Sequence, residues 1–207
     1  MIKLQGLNSK EIEDISRHVA DAFFDYEYKD GDLGLKKFIM EREDMFTYIH
    51  AIVKAAYNSG LMYATSDKHE GYLFLAGEGV GSIGFSDGMK MIFAEKKALG
   101  GWKNMKNFIS ASFSDGGSIE TSMRKAKRKF RRIEVLVVRK EYQKQGFMKK
   151  MMDYVYDLAG KQGLPVILDT DDADKSARYQ HLGMTLERIR DCGERYHTYD
   201  LIREPGS

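Results

Sequence analysis

Apolar residues recur at three- and four-residue steps through the first sixty positions. Ile12, Ile15, Val19, Phe23 and Tyr26 predict an amphipathic helix over about 9–27, with Asn8 and Glu11 placed to cap it reciprocally. A short strand over 2–4 precedes it. Asp30-Gly-Asp-Leu-Gly34 breaks the pattern. Leu35, Phe38, Ile39, Phe46, Ile49, Val53 and Tyr57 then predict a second helix, stopped at Gly60. Three strand-like runs follow, over 61–65, 71–76 and 80–85, joined by turns rich in Gly, Asp, Ser and Glu.

The next block changes period. Ser86 or Asp87 is placed to cap a helix running to Leu99, where Gly100-Gly101 ends it. Residues 102–114 and 119–130 read as two more helices, separated by the loop at Asp115-Gly-Gly-Ser. Strand character returns over 133–138, a helix follows, and Gly163 and Pro165 mark its end. Residues 166–170 read as a strand, 174–182 as a short helix, and 185–190 and 196–202 as strands. Strands and helices thus alternate, which predicts an α/β or α+β domain with a mixed central sheet flanked by helices. The 207 residues suit one domain with a core of its own. If the sheet is continuous, the mainly helical stretch over about 86–131 is an insertion between two of its strands.

Chemistry concentrates where the apolar strand 133–138 breaks into Arg-Lys-Glu-Tyr and restarts as a helix at Gln143-Lys-Gln-Gly-Phe-Met-Lys149. A helix opening this way leaves its first N–H groups unpaired beside the positive end of its dipole. That arrangement suits a phosphate-bearing ligand. Downstream stand Leu168-Asp-Thr170 and Tyr179-Gln-His-Leu-Gly-Met184. The two motifs, in this order and spacing across 133–184, resemble those of the GNAT N-acetyltransferases. That family's phosphate motif is Gln or Arg, two residues, Gly, one residue, then Gly or Ala. Gln143 and Gly146 fit it, and Met148 departs from it. The second motif, Tyr-x-x-Leu-Gly-Phe, is matched except for Met184.

The resemblance implies a fold, a cofactor and roles. The fold is the family's mixed sheet, with the helical insertion lying before the cofactor-binding strand, and the cofactor is acetyl-CoA. The backbone of Leu136, Val137 and Val138 would pair with the pantetheine arm, where two strands splay apart. N–H groups over 144–149, from Lys144, Gln145, Gly146, Phe147, Met148 and Lys149, would hold the pyrophosphate, with Gln143 heading the motif. Tyr179 stands where many relatives place the tyrosine that protonates the departing thiolate; a phenol is a neutral donor at pH 7. Glu134 interrupts an apolar strand leading to the cofactor and is the candidate base. It reads equally well as a solvent-facing residue at the strand's start.

The implied activity is direct transfer of an acetyl group to the amine of a small-molecule acceptor, in a ternary complex. The alternative is a non-catalytic acyl-CoA-binding or sensor protein of the same fold.

Composition narrows the rest. A net charge of +2 argues against a bulk polyanion such as nucleic acid, although Arg124-Lys-Ala-Lys-Arg-Lys-Phe-Arg-Arg132 holds seven basic residues in nine. That stretch reads first as a solvated helix end whose cations complement the dipole. Cys192 is the only cysteine, so no internal disulfide or cysteine-based metal cluster can form. The histidines lack metal-ligand spacing, and no metal is expected. Asp169, Asp171, Asp172 and Asp174 read as a loop and helix cap. Gly79-Val-Gly-Ser-Ile-Gly84 spells a dinucleotide pattern but lacks the strand and helix that pattern requires, and reads as a hairpin turn. No apolar run approaches the ~20 residues that span a bilayer, and residues 1–10 lack the apolar core of a signal peptide. The cytoplasm is therefore the expected compartment, with a homodimer left open.

Overall fold

A computed structural model of the protein describes residues 1–28 and 31–206. The elements run β1 (Ile2–Lys3), α1 (Ser9–Phe24), α2 (Arg42–Asn58), β2 (Met62–Ala64), β3 (Gly71–Gly77), α3 (Phe85–Ala98), α4 (Trp102–Ser112), α5 (Ile119–Lys125), β4 (Arg131–Val138), α6 (Phe147–Gly160), β5 (Val166–Thr170), α7 (Ala173–His181), β6 (Thr185–Asp191) and β7 (His197–Arg203). Seven strands form one sheet in the order β1-β2-β3-β4-β5-β7-β6. Among the described residues, only β4 and β5 pair in parallel. No helix among the described residues is long and apolar enough to cross a membrane.

The local chemistry explains the element ends. Asn8 Oδ1 accepts from the Lys10 and Glu11 N–H groups while the Glu11 carboxylate accepts from the Asn8 N–H, so the expected reciprocal cap is present. Helix α1 ends at Phe24 rather than near residue 27, because Tyr26 turns away to donate to Asp172 Oδ1 at 2.6 Å. The expected break at 30–34 falls partly outside the described residues.

Three expectations need correction. The second helix is divided into a 3-10 turn at Gly34–Lys37 and α2 proper. Residues 80–85 do not form a strand: Gly77, Gly79 and Gly81 all take positive φ and curl the chain into a turn closed by one Gly77–Gly81 bridge, and α3 starts at Phe85. The helix expected over 119–130 stops at Lys125, because Lys127 takes a left-handed φ of 52° and the chain leaves for β4. The basic run is divided with it. Arg124 pairs with Glu120, Arg128 with Glu204 and Lys129 with Glu78, while Arg131 is fully buried and donates to Gln162 Oε1.

Two apolar layers enclose the sheet. One joins Ile15, Val19, Ile49 and Val53 of α1 and α2 to Phe74, Val135 and Val137. The other joins Met151, Met152 and Val155 of α6 to Leu73, Leu75, Ile133 and Leu168. Strand β4 contributes to both faces, and a bulge puts Ile133 in one layer and Val135 and Val137 in the other. Phe74 pairs with Val135 and Leu75 with Ile133, leaving Glu134 as the extra residue. A bulge adds a residue without a ladder partner and re-aims the side chains after it.

Candidate active site

Strands β4 and β5 meet at two residue pairs only, Arg131–Val166 and Arg132–Ile167. Beyond Arg132 they diverge, although β4 continues to Val138 and β5 to Thr170. One edge of β4, from Ile133 onward, therefore faces a gap instead of a neighbouring strand. A cavity of about 940 Å³ opens there, lined by all of 132–138 and by residues of α6, α7 and the helices before β4.

At one end of the cavity stands the head of α6. Gly146 caps it in the left-handed region at φ +82°, and no side chain caps the helix. The N–H groups of Phe147, Met148 and Lys149 precede the first intrahelical bond, Lys150 N–H to the Gly146 carbonyl at 3.0 Å, so they remain available to an anion. A Cβ added to Gly146 would meet nothing within 4 Å. The space over this turn is thus open to a ligand's approach. Lys144 also takes a left-handed φ of 62°. The widened strand gap and the open anion-binding turn together fit a long cofactor with a diphosphate: arm between the strands, phosphates on the helix.

The structure brings most of the residues singled out from the sequence to this cavity. Glu134, Leu136, Val137, Val138, Gln143, Lys144, Gly146, Phe147, Met148 and Tyr179 all line it. Gln145 and Lys149 do not. The Gln145 amide donates to the Glu141 carbonyl, and Lys149 pairs with Asp153 while facing an adjoining hollow shared with Met148, Arg178 and His181. Arg178 lines both spaces.

Glu134 is exposed by way of the cavity, its side chain about a third open at 36%, while protein packs around the rest. Burial pushes its carboxyl above the usual range; Arg132 opposes this, and Glu120 and Asp169 reinforce it. Arg132 sits at the fork, with three carboxylates around one guanidinium: Glu120 and Asp169 at 2.8 Å and Glu134 at 3.0 Å. Burial alone would lower the Arg132 pKa, but Asp169, Glu134 and Glu120 hold it charged. Tyr179 is buried on α7, and burial first, then Tyr156 and Asp171, pushes its phenol up. It stays a neutral donor throughout the physiological range.

The acidic run after β5 has a different role from a plain loop. Asp172 caps α7 by accepting from the Lys175 N–H at 2.8 Å, as expected. Asp171 accepts from the Tyr28 hydroxyl, the Leu35 N–H and Lys175 Nζ. Together they fasten the segment after α1 to the C-terminal end of β5. Burial raises the Asp171 carboxyl, but Lys175, Tyr28 and Leu35 outweigh it and hold it below the ordinary value.

The remaining cavity wall was not legible in the sequence. Tyr26, Tyr48, Phe108, Phe113, Tyr196 and Arg190 come from segments far apart in the chain. For Tyr48 and Phe108 the only sequence signal is helical periodicity, which marks core and cavity wall alike, and Arg190 and Tyr196 belong to the strand-like C-terminal run.

A family model described as Acetyltransferase (GNAT) family matches residues 38–184. No curated protein sequence matches the chain. Among solved structures, arylalkylamine N-acetyltransferase 2 from Aedes aegypti aligns over 97% of this chain and 97% of its own, with 13% identity and a TM-score of 0.55. Histone acetyltransferase HPA2 and related acetyltransferase from Corynebacterium glutamicum aligns over 97% and 94%, with 9% identity and a TM-score of 0.58. A partial alignment to the ribosomal-protein-S18-alanine N-acetyltransferase from Escherichia coli covers 37% of this chain and 55% of that one, at 21% identity and a TM-score of 0.33. At these identities the two full-length likenesses speak to fold.

Proposed function

The chain belongs to the GNAT family of acetyltransferases, and on that premise we propose that it transfers an acetyl group from acetyl-CoA to the amine of a small-molecule acceptor. The observation that carries this reading is the fork between β4 and β5, with the uncapped head of α6 at its mouth. Acetyl-CoA supplies an acetyl group activated as a thioester. The chain's own residues do the rest. The free edge over Leu136, Val137 and Val138 holds the cofactor's arm as an added strand would be held. The N–H groups at the head of α6 take the diphosphate, with Lys144 adding charge. A main-chain N–H near Val137 faces the oxygen on which charge builds.

Glu134, directly or through a water, takes the proton that the acceptor's ammonium must lose. Its bulged position aims it into the cavity, and its raised pKa brings it nearer to the working pH of a base. Tyr179 donates its phenolic proton to the departing sulfur. Holding amine and donor in line in one cavity supplies much of the remaining acceleration. The α3–α5 block is read as an insertion before the cofactor strand, contributing α4 to the acceptor end of the cavity.

The second reading, a sensor that binds acyl-CoA without turnover, is favoured by one contact: Arg132 engages Glu134 at 3.0 Å and opposes its uptake of a proton. Thiol release from acetyl-CoA across an amine panel decides between the two. Turnover with some amine, lowered about 10²-fold in kcat by Tyr179→Phe at unchanged cofactor affinity, supports the enzyme. Tight CoA binding with no turnover on any amine supports the sensor. No heat on calorimetric titration with CoA ends both.

A further inference from the structure

We infer that the acceptor is a primary amine borne on an aromatic or bulky apolar body, carrying no carboxylate or phosphate; this rests on the transferase reading above and narrows its acceptor. The cavity beyond Glu134 is walled by rings drawn from four parts of the fold. Phe23 and Tyr26 come from the end of α1 and the segment just after it, Tyr48 from α2, Phe108 and Phe113 from α4 and its end, and Tyr196 from the turn before β7. Several of these rings brace one another. Phe108 meets Tyr48 edge-on at 6.3 Å between centroids, and Phe38 meets both Phe108 at 5.1 Å and Tyr196 at 5.3 Å. A wall built this way is braced before any ligand enters and offers mainly ring faces and edges, with the phenol groups of Tyr26, Tyr48 and Tyr196 as its polar points.

Several of the polar groups that line this space are already paired. Tyr26 donates to Asp172. Lys175 holds Asp171 at 3.0 Å and lies over the Tyr26 ring at 3.8 Å. Arg190 is almost fully buried, bonding Asp200 at 3.2 Å and the Ser112 carbonyl at 3.0 Å. Arg132 is surrounded by three carboxylates. Lys175, Arg190 and Arg132 are thus already engaged by carboxylates, leaving poor provision for an acidic acceptor beside them. What the end does offer an incoming ammonium is the Glu134 carboxylate, partly open and backed by Glu120 and Asp169. A sugar or an extended polyamine would bring more polar groups than this mainly apolar wall can satisfy, each one left over costing desolvation. An apolar body replaces water there with favourable contact.

Phe113 is 62% exposed yet lines the cavity, so it stands at the rim where such an acceptor enters. The experiment compares kcat/KM for 2-phenylethylamine, hexylamine, methylamine, spermidine, an aminoglycoside and a peptide with a free N-terminus, all with acetyl-CoA. The aromatic and long-chain amines are expected to exceed the polar acceptors by at least about tenfold, the scale of a few buried methylenes. Phe108→Ala should shrink that advantage about tenfold without changing CoA affinity, and Phe113→Ala, at an exposed position that leaves the core intact, should shrink it severalfold. Preference for spermidine, the aminoglycoside or the peptide would overturn the inference while leaving the transferase reading in place. So would variants that slow every amine equally. No turnover on any amine, with CoA still bound, removes the transferase reading and the acceptor with it.

Discussion

Glu134 occupies an uncommon position for a carboxylate, the extra residue of a bulge in a central strand. In a regular ladder it would have alternated with Ile133 and Val135 and faced one core layer. The bulge instead turns it toward the cavity, against Arg132, and burial raises its pKa. The sign of the consequence follows. A base must be ionised to accept a proton, and a raised pKa means ionisation is completed at higher pH than for a free glutamate. kcat/KM should thus fall on acidification through a value above the ordinary ~4.3 of glutamate. Glu134→Gln should remove that limb and lower kcat about 10²-fold. A pH profile of both proteins, with KM followed separately, is the check; an unchanged limb in the variant would assign the base elsewhere.

Helix α6 shows how a backbone conformation leaves donors open at a helix head. Gly146 at φ +82° lets the chain turn from the loop into the helix while its N–H groups remain uncapped. Gly146→Ala meets no steric obstacle in the protein itself, but it places a methyl group over the turn and imposes a left-handed conformation on an alanine, a cost of about 1 kcal/mol. CoA affinity should drop roughly tenfold by calorimetry while the unfolding midpoint moves by only a few degrees. This element was legible beforehand because its signal is local: an apolar strand, a polar break, Gln143 and Gly146, then amphipathic spacing. The ends of α1 and α5 and the absence of a strand at 80–85 were less legible. Long-range bonds such as Tyr26 to Asp172 and a left-handed Lys127 leave no mark on periodicity. The acceptor wall was illegible for the same reason, since Tyr48, Phe108 and Tyr196 are adjacent only after folding.

The molecule's C-terminal hairpin of β6 and β7 is joined to the rest through a buried charge network. Asp200 is fully buried and accepts from Arg188 at 2.8 Å and Arg190 at 3.2 Å, while Arg190 reaches across to the end of α4. Removing the shared carboxylate leaves Arg190 buried without its main counter-charge, while Arg188 is already partly open to solvent. Asp200→Asn should cost about 3 kcal/mol, read as a lower denaturant midpoint with an unchanged slope. A loss below 0.5 kcal/mol would mean that water reaches Arg190 as well.

The meeting of β4 and β5 at only two residue pairs has a bearing on cohesion. The seven strands behave as two panels, one of four and one of three, with a narrow seam between them. A molecule lodged in that seam would touch both panels at once, on β4 and at α7 beside β5. A ligand that binds there only in the folded chain would therefore tie the two panels together and raise the unfolding midpoint of the whole.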